Sequence, residues 1–176
     1  MNAAVELLTP RLTLPAIGAA IAGGFCLAHQ FIDGQPYAII VAPKAQGERA
    51  DVIWNEFEKR VDGALSAFDG LTNTRAMAAA GSELAQWALS RHIGEFDDWF
   101  IPSRADLLAI YGNLEAAGEP FAKGGAEAFE REWYWSSSQL AANDACAWFQ
   151  SFGWGDQFYG HKSIENRVRL VRRLAI

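Results

Sequence analysis

Cysteine, histidine and surplus positive charge are all scarce in this chain, and each shortage removes a class of function. Cys26 and Cys146 are the only cysteines among 176 residues. They stand far apart in no C-x-x-C pair, so neither a disulfide framework nor a zinc ribbon is signalled, and two buried free thiols are expected. The three histidines, His29, His92 and His161, have no sequence context that sets a base beside either thiol, so a cysteine-nucleophile enzyme is not expected. Lys and Arg number 15 against 21 Asp and Glu, a formal charge of -6. That balance argues against nonspecific nucleic-acid binding, which draws its affinity from basic residues displacing phosphate counterions. The apolar segment from Pro15 to Leu27 is too short and glycine-rich to cross a bilayer, and no basic region precedes it. No membrane insertion and no signal peptide are expected. The protein is expected to be made in the host cytoplasm and to reach a surface only by assembly into a particle or by lysis. Gly23-Gly24 and Gly124-Gly125 are isolated pairs without a phosphate-cradling motif, and no internal repeat or low-complexity stretch occurs.

What is present is a folding chain. It is 51% hydrophobic and 20% charged with 7 Trp and 11 Phe, far from the composition of disorder, and its length suits one domain with a small appendage. Residues 1–20 hold two prolines and no clean period, so they read as an N-terminal arm for attachment or oligomerisation, followed by a domain at 21–176. Two apolar runs flank Asp33-Gly34, a dipeptide suited to a tight hairpin, which predicts strands near 23–31 and 36–42. Residues 43–71 give no firm pattern beyond a loop with short ordered pieces. Met77, Ala80, Leu84, Trp87 and Ala88 recur at helical spacing behind Thr72 and Asn73 as cap candidates, predicting one helix to about Arg91 with Trp87 in the core.

A second helix begins at Ser103, with Asp106 three residues on completing a capping box and Leu107, Leu108, Ile110, Tyr111 and Leu114 as its apolar stripe. The period turns to alternation from Trp133 onward. The order of strands, two helices and strands predicts an α+β domain whose terminal strands meet in one antiparallel sheet. In RVRLVRRL one strand is expected to break near Val171, with its arginines facing away from its aliphatics. The basic residues Lys162, Arg167, Arg169, Arg172 and Arg173 could meet an acidic ligand or a neighbouring subunit, and a solvated face is the plainer expectation.

Residues 129–159 carry ten of the chain's 22 aromatics, too many for one buried face. Alternation sets Trp133 and Trp135 opposite Tyr134, and Trp148 and Phe152 opposite Phe149. The small residues at 136–144 and the turn GWGDQFYG are expected to form a displayed edge. There Trp154, Asp156, Gln157 and Tyr159 would ring a shallow site, rings stacking on sugar C–H faces and amides fixing orientation. An ordinary hairpin tip explains the same turn. Asn143 and Asp144 lie in a polar loop that could join this surface, and capping accounts for them equally well.

Three segments in order, FDDWFIPSRADLLAIYGNL at 96–114, WYWSSS at 133–138 and AWFQSFGWGDQFYGHKSIENRVRLVRRL at 147–174, resemble the C-terminal domain family of the Lcl collagen-like adhesin. That family is a branch of the C-type lectin-like fold also found in phage and prophage proteins. The resemblance covers roughly 73–176. It implies two helices packed on antiparallel sheet, and a scaffold that displays its late strands and loops. It also implies a non-enzymatic attachment module, associated with a phage tail or fibre and binding a cell-surface glycan or protein. The arm would contact other virion proteins, and a homo-oligomer, a trimer above others, would multiply weak sites.

No cofactor and no obligatory calcium are expected, because the E-P-N type tripeptide of calcium-dependent lectins is absent. The related formylglycine-generating enzymes rely on a late cysteine pair that this chain lacks. An enzyme of that kind, an intracellular phage accessory protein and a purely structural virion component are the alternatives. The proline-serine-arginine element at 102–104 is expected to be structural, and Arg169 is expected to pair with Asp97 or Asp98.

Overall fold

Asp33 and Gly34 both have positive φ, 51° and 78°, and form a two-residue hairpin loop between paired Ile32 and Gln35. The computed structural model describes residues 13–55 and 59–176. The strands flanking the loop, β2 (Gly24–Ile32) and β3 (Gln35–Val41), coincide with the expected hairpin. They follow the short β1 (Ala20–Ile21) and precede α1 (Lys44–Gly47) and β4 (Glu48–Val52). Residues 1–12 of the expected arm lie outside the described residues, while Ala19 and Gly18 hydrogen bond with Cys26 of β2.

The expected single helix is two, α2 (Gly70–Ala79) and α3 (Glu83–Leu89). Gly81, at a φ of 93°, breaks the run, and Ser82 restarts it by accepting a hydrogen bond from the Ala85 amide. The first cap is Asp69, not Thr72 or Asn73. Asn73 is instead buried, tying both the amide and the carbonyl of Ser66 at 3.0 and 2.7 Å. Trp87 is only partly buried and packs at the margin of the core. The helix α4 (Arg104–Asn113) carries the expected capping box: the Ser103 hydroxyl accepts from the Asp106 amide, and the Asp106 carboxylate accepts from the Ser103 amide. Leu108, placed in its apolar stripe by the sequence, is exposed.

The remaining strands are β5 (Trp133–Gln139), β6 (Cys146–Ser151), β7 (Gln157–His161), β8 (Asn166–Arg169) and β9 (Val171–Ala175). The two ends of the chain meet as predicted in an antiparallel sheet of order β1-β2-β3-β9. A second sheet, β4-β8-β5-β6-β7, has one parallel pairing, β5 with β8. The architecture is α+β. The break in the last strand falls at Leu170, and it passes the chain from one sheet to the other.

Two packed clusters of apolar residues use opposite faces of the hairpin: Cys26, Ala38 and Ile40 join Trp54, Trp99 and Trp135, whereas Leu27, Ile39 and Val41 join Phe100, Leu107 and Tyr134. The alternation at 133–135 therefore sorts its rings as expected. Ser136, Ser137 and Ser138 do not form a displayed edge; they are buried, and their hydroxyls donate to Trp148, Pro102 and Ser66 carbonyls. Hydroxyls suit this place because the pairing of β5 with β6 is interrupted between Trp135 and Gln139, leaving local carbonyls to satisfy.

The basic strip is also not a solvated face. Lys162 is 0%, Arg169 1% and Arg172 7% exposed. Arg169 pairs with Glu127, not with Asp97 or Asp98, and donates further to the carbonyls of Glu127 and Ala42 at 2.6 and 2.9 Å. Asp98 is taken by Arg172 in a two-pronged pair at 2.6 and 2.9 Å. The strand leaves one sheet and enters another here, so both of its faces meet protein and its guanidinia find internal acceptors. Both cysteines are buried and free, as anticipated.

Candidate functional site

β7 is an outer strand of the five-stranded sheet, and the GWGDQFYG segment holds its turn with β6 and most of the strand itself. The turn is pinned from within. The Ser151 hydroxyl accepts from the amides of Gly153 and Trp154 at 3.2 and 3.1 Å, and the Ser151 amide donates to Asp156 at 2.8 Å. Gly155 has a φ of 85°, and a Cβ there would stand 2.8 Å from the Tyr111 ring of α4, so a side chain is excluded twice over. These constraints leave Trp154 projecting, 77% exposed.

Along β7 the exposure continues, with Phe158 at 57% and Tyr159 at 43%. Their rings stack with centroids 5.2 Å apart and planes 1° from parallel. Tyr159 also meets Trp148 of β6 edge-on at 5.5 Å, and Phe158 lies 6.4 Å from the buried Phe149. Behind them the Arg104 guanidinium rests 3.9 Å from the Trp148 ring centroid. Gln157 donates its Nε2 to the Arg104 carbonyl at 2.6 Å, fixing the start of α4 to β7. The result is an aromatic ledge along a sheet edge, held by a helix start.

Of the residues singled out from sequence, Trp154, Asp156, Gln157 and Tyr159 lie together on this turn and strand, with Asp156 exposed and Gln157 half-buried. Asn143 and Asp144 lie at the far end of the same hairpin, where Cys146 pairs with His161. At ~3.3 Å per residue along β6 that is roughly 17–20 Å from the tip. Asn143 closes a turn by accepting from the Ala145 amide at 3.0 Å, and Asp144 pairs with Arg60 at 2.9 Å. Phe158, Trp148 and Arg104 complete the ledge and were not singled out. Phe158 and Tyr159 are successive residues, and both stay exposed on the outer strand β7.

Three other places carry chemical groups. The Cys26 thiol lies 3.6 Å from His29 Nε2, but that nitrogen is also 2.9 Å from the Pro15 carbonyl, and burial pushes the thiol pKa up, the wrong direction for a thiolate nucleophile. The buried Lys162 donates to the Lys59 carbonyl and to Gln139 Oε1, each at 2.6 Å, and burial pulls its amine down to about 8. It clamps a loop to the end of β5, because Gln139 Oε1 also accepts from the Val61 amide at 2.8 Å. A cleft of about 470 Å³ lies at the opposite edge of the sheet, between β4 and the start of α3, lined by Arg49, Asp51, Trp54, Glu83 and Glu165 among others. Its charged lining residues Arg49, Asp51, Glu83 and Glu165 are all exposed, while Trp54 and Asn55 beside them are buried. Among the described residues, no group of three or more His, Cys, Asp or Glu is placed to hold a metal ion, and no helix is long and apolar enough to cross a membrane.

The fold and the ledge together define an α+β domain that presents an aromatic sheet edge. The family model of the Lcl C-terminal domain matches residues 46–172, most of the chain, and the chain belongs to that family. Comparison with curated proteins returned no match. The match leaves out β1 to β3, although β3 supplies the pairing partner of β9 and is integral to the first sheet.

Proposed function

We propose that this chain is a non-enzymatic recognition module that binds a cell-surface glycan or protein through the ledge of Trp154, Phe158, Tyr159 and Trp148. One observation carries the proposal: three large rings, 77%, 57% and 43% exposed, stand on one outer strand and the turn that leads into it instead of in the core. Rings held open in this way cost stability, and they match ligands with apolar C–H faces or aliphatic groups. Arg104 on Trp148 adds donors beside the rings, and Asp156 adds an acceptor. Family membership favours the adhesin-like role. The resemblance that led to it supports a phage or prophage setting on a tail or fibre, with several copies acting together.

An enzymatic reading of the formylglycine-generating kind has less behind it. Cys26 belongs to β2 and Cys146 to β6, strands of different sheets, so the pair that such chemistry uses has no counterpart. A purely structural role, in which a neighbouring protein covers the ledge, makes the same use of exposed rings and differs only in the partner. A binding screen against glycans and intact cells, with purified particles assayed in parallel for the protein by mass spectrometry, separates the two. Binding that Trp154→Ala abolishes supports the proposal. Presence in particles with no binding to any cell or glycan contradicts it.

A further inference from the structure

Phe31, Phe68 and Leu108 are 71%, 58% and 52% exposed, and with Gln30, Ala105 and Ala109 they line an apolar groove of about 310 Å³ between β2 and α4. It is a separate surface from the ledge, since it lies on the hairpin of the other sheet. Three apolar side chains this open in one groove mark a surface made to be covered.

The path of the chain says by what. Upstream of β1 the backbone lies along β2: the Gly18 amide donates to the Cys26 carbonyl at 2.8 Å, and the Pro15 carbonyl is 2.9 Å from Nε2 of His29. Phe31, on the rim of the groove, is two residues beyond His29 on the same strand. The described chain begins there, at Thr13 and the 47% exposed Leu14. The twelve residues that precede it, MNAAVELLTPRL, contain Val5, Leu7, Leu8 and Leu12 against one acid and one base. An extended chain covers up to ~3.3–3.6 Å per residue, so Leu7 and Leu8 are within about 20 Å of Thr13. That is ample for a rim so close to where the described chain begins.

We propose that the groove is the docking site of this chain's own N-terminal residues, with Leu7 and Leu8 entering between Phe31, Phe68 and Leu108. Tethering favours the chain's own segment over a second copy, because a short linker holds it at an effective concentration in the millimolar range. The cover hides the most exposed phenylalanine of the described residues. It also braces the exposed side of α4 one turn from Arg104, which supports the ledge.

The test is hydroxyl-radical footprinting of the full chain, of the chain lacking residues 1–12, and of the Leu7→Asp/Leu8→Asp variant. The expected result is a several-fold rise in oxidation of Phe31, Phe68 and Leu108 in both altered chains, reversed when a synthetic peptide of residues 1–12 is added to the shortened one. Unchanged oxidation in the altered chains overturns the proposal. So does protection in the full chain that fades on dilution alongside a dimer seen by sedimentation, which would identify a second copy as the cover. If the shortened chain does not fold, the double aspartate variant decides alone. Ledge binding is read separately, so a failure here leaves the recognition proposal standing.

Discussion

The Arg104 guanidinium lies over the Trp148 ring at 3.9 Å while the Arg104 carbonyl accepts from Gln157. One residue at the start of α4 therefore holds both strands of the ledge hairpin, by a cation–π contact to β6 and a hydrogen bond to β7. The proline-serine-arginine element starts α4 and braces the ledge hairpin.

Replacing Arg104 by Ala removes the cation–π contact and keeps the backbone hydrogen bond. Such contacts are worth roughly 0.5–2 kcal/mol, which corresponds to a fall of roughly 1–8 °C in Tm, and ligand affinity is expected to fall as Trp148 loses its brace. Titration against the cells or glycan selected by the screen measures it. Unchanged affinity would remove Arg104 from the site.

Gly155→Ala places a methyl group against Tyr111 in a backbone conformation that side chains avoid. Strain of this kind costs on the order of 1–3 kcal/mol, and the turn is expected to relieve part of it by moving Trp154. Both melting temperature and binding should drop. Loss of stability with full binding would show that the orientation of Trp154 does not matter.

Arg169→Met strips a half-buried carboxylate and two carbonyls of their donor at a side chain with no exposure. Breaking one partner of a buried pair costs about 3–5 kcal/mol, which corresponds to a fall of roughly 6–20 °C in Tm for a domain of this size. Ledge binding by the remaining folded protein should be unchanged, as calorimetry below the new melting point would check.

Asp106 gives a pH signature. Burial, partly offset by hydrogen bonds with Ser103, pushes its carboxyl up to about 6. An unfolded aspartate titrates near 3.9, so between about pH 4 and pH 6 the unfolded chain releases a proton that the folded one keeps, and stability from this group falls as pH rises through that window. Asp106→Asn should abolish this component. Urea midpoints of the two proteins should therefore diverge across the window, with the wild type losing ground; parallel curves would contradict the assignment.

Much of this was legible in the sequence because it rests on local chemistry. Asp33-Gly34 fixes its turn by backbone conformation, and Ser103 with Asp106 fixes its helix start by hydrogen bonds three residues apart. The break at Gly81 was missed because the apolar spacing of Met77, Leu84 and Ala88 runs on through both helices, and only the positive φ of the glycine interrupts it. The burial of Arg169 and Arg172 depended on Leu170 passing between sheets, and that of Lys162 on the Lys59 carbonyl and Gln139 meeting it, tertiary facts with no local signature. At the ledge, Trp154 and Tyr159 were visible as rings in a glycine-flanked turn. Asn143 and Asp144 looked close because sequence does not show that β6 carries them to the far end of the hairpin.

The central claim is that the exposed rings of the β6–β7 hairpin form the binding surface. A glycan and whole-cell binding screen of the wild type, followed by Trp154→Ala, Phe158→Ala and Tyr159→Ala with Ile53→Ala at the opposite sheet edge as control, tests it most directly. Each ring removal is predicted to weaken binding at least tenfold, on the scale of about 1.5–3 kcal/mol for fully engaging one large apolar side chain, with the control unchanged. Binding that survives all three ring substitutions would contradict the account.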